Sequence, residues 1–233
     1  MLERSAKEIL FEDNHLLVVV KPSNIPVQED DSGDLDLQNS WKNYLKDKYQ
    51  KPGNVFLGIV HRLDRPVGGV MVFAKTSKAA SRLSEQIRQE QWKKIYLAVV
   101  HGNPTSGPVD IRLEHFLLKD NDANMVQVVD AQTLGAKRAI LLYKKLQTEK
   151  NCSLLQVQLL TGRSHQIRVQ LSTIGHPLLG DQKYGEGKMD KISGPALWSH
   201  QLTLNHPITQ ENITFKANPP KVFPWNLFLG IVS

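Results

Sequence analysis

Apolar and polar positions alternate in short runs along this chain, and the runs divide it into strands and a few helices. Residues 15–20 are apolar and β-branched and are closed by Lys21-Pro22, which predicts a strand. Residues 28–36 are acidic and turn-rich and predict a surface loop. Leu37, Trp41, Tyr44, Leu45 and Lys48 then recur at helical spacing, with the Lys stem extending the apolar face. Pro52-Gly53 ends that helix. Residues 69–74 predict a buried strand. Thr76 or Ser77 caps a following helix whose apolar face is Ala79, Ala80, Leu83 and Ile87.

Residues 94–100 predict another strand, and residues 108–160 alternate strand-like runs with polar turns. The clearest run sets Leu155, Val157 and Leu159 on one face against Gln156 and Gln158 on the other. Ser164 reads as the cap of a helix bearing Ile167, Leu171 and Ile174, stopped by Gly175 and Pro177. Strands at 196–204 and 212–217 follow, and Pro219-Pro220 leads into an apolar tail. There is no internal repeat and no long linker. The pattern predicts one α+β domain rich in antiparallel strands.

Composition narrows the class. At 40% hydrophobic and 22% charged, the 233-residue chain is ordinary globular material rather than a disordered one. Residues 16–20 and 227–232 are too short to span a bilayer, and residues 1–10 carry Glu3, Arg4, Lys7 and Glu8 where a secretory signal needs an apolar core. Cys152 has no second cysteine to pair with in the chain. These features predict a cytoplasmic protein with no membrane association. The net charge of +6 is uneven. Residues 61–100 hold 8 Lys/Arg and 3 Asp/Glu, whereas residues 1–60 hold 7 and 10. A local basic block suits a polyanion such as nucleic acid, and it equally suits a solvated helix face.

Three segments stand out chemically. In His61-Arg62-Leu63-Asp64-Arg65, alternation turns Leu63 inward and the charged pair outward, and a lone Asp between two Arg gains from their charge. Pro66 and Gly68-Gly69 make a tight loop at its end, so this is either the edge of a site or a surface turn with an ion pair. In the segment from Thr161 to Leu171, Arg163, His165, Gln166 and Arg168 crowd donors around a helix N-terminus. That arrangement suits phosphate, a distant carboxylate, or plain capping. In Lys93-Lys94-Ile95-Tyr96, Tyr96 faces away from Ile95, Leu97 and Val99 and either lines a cleft or is structural. Dinucleotide, P-loop, HExxH and GxSxG motifs are absent, and the histidines have no recognised metal-ligand spacing, so no cofactor and no metal is expected.

Taken together, these segments resemble the pseudouridine synthases, specifically the ribosomal large-subunit pseudouridine synthase A family. His61-Arg62-Leu63-Asp64-Arg65 resembles the catalytic signature. Lys21-Pro22-Ser23-Asn24-Ile25-Pro26-Val27, Lys94-Ile95-Tyr96 and Thr161-Gly162-Arg163-Ser164-His165-Gln166-Ile167-Arg168 match three further motifs in the same order. Weaker agreement comes from Leu178-Leu179-Gly180-Asp181-Gln182-Lys183-Tyr184-Gly185 and from Trp198-Ser199-His200-Gln201-Leu202 through His206-Pro207. The match spans about residues 8–224, so a single catalytic domain without an N-terminal RNA-binding domain is expected over 1–233. Gly68-Gly69 stands where relatives usually carry Ser-Gly or Thr-Gly, Ser164 where Thr is common, and Gln170 where His is common.

The resemblance implies a pseudouridine synthase fold: a mainly antiparallel mixed sheet with flanking helices and a central cleft. It also implies isomerisation of uridine to pseudouridine in transfer or ribosomal RNA, by a protein expected to act as a monomer. Asp64 is then the essential carboxylate, either attacking the anomeric carbon or removing a ribose proton. Arg168 pairs with it to keep it ionised. Tyr96 stacks near the uracil and Ile167 walls the pocket. Arg62 fills the space left by the flipped nucleotide, and His61 supports the loop. Arg65, Arg163, His165 and Gln166 are further substrate-binding candidates, and Lys78, Arg82, Arg88, Lys93 and Lys94 are candidates for the RNA backbone. The alternative is an RNA-binding or RNA-assembly factor that retains the fold without catalysis. A hydrolase built on paired carboxylates lacks a second acid in the motif.

Overall fold

A computed structural model describes residues 8–30, 32–107, 109–120, 122–185 and 192–232. The reading of residues 1–10 therefore falls mostly outside the described residues. In chain order the elements are β1 (Glu8–Glu12), β2 (Leu16–Lys21), α1 (Leu37–Lys48), β3 (Gly58–Ile59), β4 (Gly68–Ala74), α2 (Ser77–Arg88), β5 (Lys93–His101), β6 (Ile111–Asp120), β7 (Met125–Val129), β8 (Lys137–Glu149), β9 (Cys152–Leu159), α3 (Gln166–Thr173), β10 (Leu197–Asn205), β11 (Asn212–Lys216), a 3-10 turn (Trp225–Phe228) and α4 (Leu229–Val232). The predicted α+β class, with helices flanking a sheet, is the observed one. No helix among the described residues is long and apolar enough to cross a membrane. The chain forms two compact units, residues 1–92 with 199–217, and residues 93–198 with 218–233.

In the first unit the strand order is β1-β2-β4-β10, with β11 on β10 and the short β3 on β4. β2 and β4 pair antiparallel, from Leu16 opposite Ala74 to Lys21 opposite Gly69. β4 is buried along its whole length, which explains why it reads as a continuous apolar run rather than an alternating one. Leu17, Val19, Met71 and Phe73 pack with Leu37, Trp41 and Leu45 of α1. Asp36 caps α1 by accepting from the Asn39 N–H at 2.9 Å, and Thr76 caps α2 by accepting from the Ala79 N–H at 3.1 Å. Each cap contributes about 1 kcal/mol. Gly69 has φ +118, and a side chain there would meet the Ser199 carbonyl oxygen at 2.2 Å. Only glycine lets the backbone at the start of β4 approach β10 this closely.

A charged cluster fastens β1 to α1. Glu12 accepts from Lys48 Nζ at 2.7 Å, Lys75 Nζ at 2.8 Å and the Tyr49 hydroxyl at 2.7 Å. Burial works to raise the Glu12 carboxyl, but the bonds from Lys48, Lys75 and Tyr49 overcome it and hold the group at about 2. A depressed folded pKa stabilises the fold above the unfolded value and is lost as pH falls through the folded one. Glu12→Gln is therefore expected to cost about 1 kcal/mol at neutral pH, given solvent screening of the lysines. The gap to wild type in chemical denaturation should close between pH 4.5 and 2. An unchanged gap at pH 2 would show that the carboxylate charge contributes nothing.

In the second unit the strand order is β5-β9-β8-β6-β7, with the neighbouring pairs β5–β9, β9–β8, β8–β6 and β6–β7 all antiparallel. Leu117, Val126 and Ala139 on one face of this sheet pack with Val169 of α3 and with Tyr184. Leu154, Leu155, Val157 and Leu159 of β9 are buried, while Gln156 and Gln158 are half-buried, as the alternation predicts.

Candidate active site

In the first unit the segment from His61 to Val67 links β3 to β4. Leu63 is buried, Asp64 half-buried and Arg62 exposed, so the predicted alternation is observed. The Val67 N–H donates to the Asp64 carbonyl at 2.9 Å and closes a turn through Arg65-Pro66. Below this turn lies Lys21, the last residue of β2, fully buried. Its Nζ donates to the carbonyls of Pro22 at 3.0 Å, Arg65 at 2.9 Å and Val67 at 2.8 Å. Three acceptors match the three N–H bonds of an ammonium group. Burial pushes the Lys21 ammonium down to about 7 against the attraction of Asp64. The turn carrying Asp64 is thus tied from below by a buried charge.

His61 holds the other end of the loop. Its Nε2 accepts from the Val72 N–H at 2.9 Å, which places the ring proton on Nδ1, and its ring meets Trp92 edge-on at 5.1 Å. The two flanking arginines reach the acidic loop. Arg65 forms ion pairs with Asp30, at 3.5 Å, and Asp34, and also reaches Ser32. Arg62 donates to Gln28 at 3.4 Å. The acidic loop offers carboxylates within reach of these long side chains, so the guanidinium groups lie along it.

In the second unit the site is built on α3 and the loop before it. Ser164 is not the cap. His165 occupies the cap position with φ +50 and no capping hydrogen bond from its side chain. Gln166 replaces that function. Its Oε1 accepts from the Arg163 N–H at 3.0 Å and from the Thr161 hydroxyl at 2.9 Å, and its Nε2 donates to the Ile140 carbonyl at 3.0 Å. Gln166 is buried and clamps the loop to β8. His165 Nδ1 lies 2.7 Å from the Tyr184 hydroxyl. Arg163 is exposed and donates to the Arg138 carbonyl at 3.0 Å. Ile167 is buried.

Arg168 is buried, and sequence reading did not name the partner it has in this unit. Its Nε and one terminal nitrogen each donate to Asp181 at 2.7 Å. Its guanidinium also lies 5.2 Å from the centre of the Tyr184 ring. The only sequence signal was an acid between buried leucines and a tyrosine in the 178–185 segment. A buried carboxylate needs a cation, but the spacing does not say which one.

Register places Tyr96 relative to α3. Tyr96 lies opposite Val157, Val157 opposite Tyr143, and Ala139 opposite His115. Directly opposed residues share a face, and so do residues two apart on one strand. Tyr96, Tyr143, Ala139 and His115 therefore lie on one face. Gln170 of α3 donates there, to the Ala139 carbonyl at 3.2 Å and to His115 Nδ1 at 3.0 Å. Burial lowers the His115 pKa, so the imidazole is neutral and accepts. Tyr96 is half-buried on the face that α3 covers.

The basic candidates fall into two groups. Lys78 and Lys93 are exposed, and a side chain at Gly162 would come within 3.3 Å of the half-buried Lys94 Nζ. Arg82 donates to the Pro207 carbonyl at 2.7 Å, and Arg88 pairs with Glu85. These two already serve the first unit's own structure.

Similarity to known proteins points one way. A sequence model of the family described as RNA pseudouridylate synthase matches residues 15–173. The chain is 37% identical over 226 residues to "Ribosomal large subunit pseudouridine synthase D" of Zymomonas mobilis, covering 92% of this chain and 69% of that protein. It is 34% identical over 216 residues to "Dual-specificity RNA pseudouridine synthase RluA" of Haemophilus influenzae, covering 90% of this chain and 92% of that one. The solved structure titled "Human RNA Pseudouridylate Synthase Domain Containing 4" aligns with a TM-score of 0.76 at 25% identity, covering 92% of this chain and 89% of that one.

Proposed function

Because this chain belongs to the RNA pseudouridylate synthase family, an isomerase family acting on uridines in RNA, we propose that Asp64 is the carboxylate on which its reaction turns. In that isomerisation the bond from ribose C1′ to uracil N1 breaks, the ring reorients, and C5 bonds to C1′. The C5 proton leaves and N1 gains one, so nothing is oxidised or reduced. Asp64 acts either as the nucleophile at C1′ or as the base that removes a ribose proton. Both routes need an ionised carboxylate held in one place. The observation that carries the assignment is the tied turn: Asp64 sits on a loop closed by the Val67 N–H and fastened by the buried Lys21.

Tyr96 takes the position beside the uracil and assists loss of the C5 proton, Arg168 supplies the cationic role, and Ile167 supplies an apolar wall. The target base leaves its stack to react, and the exposed Arg62 is suited to the space it vacates. Exposed Lys78 and Lys93, with Lys94, contact phosphates. The substrate is a transfer or ribosomal RNA, and the enzyme acts in the cytoplasm as a monomer. The net charge of +6 and the single cysteine of the sequence support the polyanionic partner and the reducing compartment.

The test is pseudouridine mapping of total cellular RNA with and without the gene, complemented by wild type or Asp64→Ala. Loss of pseudouridine at defined sites, restored by wild type alone, is expected and names the substrate. Restoration by Asp64→Ala would overturn the assignment of Asp64.

A further inference from the structure

We propose that Asp181 is a positioning residue for the isomerisation, setting the guanidinium of Arg168. The inference rests on the reading that Arg168 serves that reaction. The Arg168 side chain is 5% exposed and that of Asp181 0%. Two parallel bonds of 2.7 Å take Nε and one terminal nitrogen of the fork, which fixes both the plane and the heading of the guanidinium. The carboxylate is itself held. Asp181 Oδ1 also accepts from the N–H groups of Lys183 at 3.0 Å and Tyr184 at 3.2 Å.

The turn that carries Asp181 is anchored in three places. Ser172 of α3 donates to the Tyr184 carbonyl at 2.8 Å. The Tyr184 hydroxyl accepts from the Val126 N–H at 2.9 Å and bonds His165 Nδ1. Its ring lies against the guanidinium. Arg168 is therefore gripped in its plane by a carboxylate and on its face by an aromatic ring, both supplied by one turn fastened to its own helix.

Stability alone does not account for this arrangement. A buried ion pair pays heavily for desolvation, and an apolar pair of similar volume is often as stable. What the pair supplies beyond stability is a single orientation of a side chain that otherwise rotates about four bonds. A cation needed at one point during bond cleavage requires that orientation.

The full-length chain tests this with an in-vitro-transcribed RNA fragment containing a uridine that wild type isomerises. Asp181→Asn keeps an acceptor for the turn and weakens the grip on Arg168. It is expected to lower kcat by about 10²-fold, the scale of a misplaced group. KM for the RNA should stay within about twofold, because the interaction lost acts in the transition state. In an Arg168→Gln background the same change should cost kcat nothing further, since Asp181 acts on the reaction through Arg168. Multiplying losses, or a lower folded fraction with unchanged kcat per folded molecule, would overturn the proposal and leave Asp181 a structural residue. If Arg168→Gln alone keeps the wild-type kcat, the reading of Arg168 fails, and this inference fails with it for that separate reason. Should Asp181→Asn not fold, Asp181→Glu carries the same test. It keeps the charge, shifts the fork by one methylene, and is expected to show a loss confined to kcat and absent in the Arg168→Gln background.

Discussion

Asp64→Asn should yield a folded protein that binds RNA and turns over no uridine. The variant keeps the size and shape of the side chain and removes its charge and nucleophilicity. Neither proposed route survives that change, so kcat should fall on the order of 10⁴-fold or more, the scale seen when a reacting group is deleted. RNA affinity should hold because phosphate contacts, not this carboxylate, dominate binding. The turn should also hold, since its closure uses the Asp64 carbonyl rather than the side chain. The decisive pair of measurements is single-turnover isomerisation and filter binding on the same RNA. Activity near wild type would sink the catalytic assignment and favour a binding protein that merely retains the fold.

The second large effect concerns Lys21. Lys21→Met has similar length, fits an apolar site and donates nothing. It leaves the carbonyls of Arg65 and Val67 without the partner that fills them. Stranding buried acceptors and losing charge-assisted bonds should cost about 3 kcal/mol, read as a lower midpoint in urea with unchanged slope. The turn under Asp64 loosens at the same time, so kcat should fall by about 10²-fold even where the variant is folded. The sign of the pH dependence follows from Lys21 titrating at about 7 in the fold against an ordinary lysine value of 10.5. Between those values the unfolded chain holds more protons, so stability rises with pH. The wild-type advantage over Lys21→Met should therefore widen from pH 7 to 10. A gap that narrows across that window would contradict a buried, titrating lysine.

Several elements were legible because their causes are local. The N-cap at Thr76 was read from a hydroxyl residue just before a run with helical apolar spacing, whereas Asp36, read as the end of a surface loop, caps α1. Period-two alternation gave β9, and the unbroken apolar run gave β4. Ser164 misled for a related reason. A serine before a helix is a good cap by propensity, but the Gln166 side chain reaches back to the Arg163 N–H and shapes the loop itself. Adjacency in sequence says nothing about where the long side chains beside Asp64 end. Arg65 reaches Asp34, 31 residues away.

Strand period, turn chemistry and motif order are properties of neighbouring residues, so the strand-rich α+β class and the resemblance to the family could be read from the chain alone. What holds those motifs in place emerges only in the folded backbone. Lys21 meets the Asp64 loop across 46 residues, and Arg168 meets Asp181 across 13. In each case a buried charge needs a partner, and burial makes that need strict, but only the folded backbone selects which acceptor comes within reach.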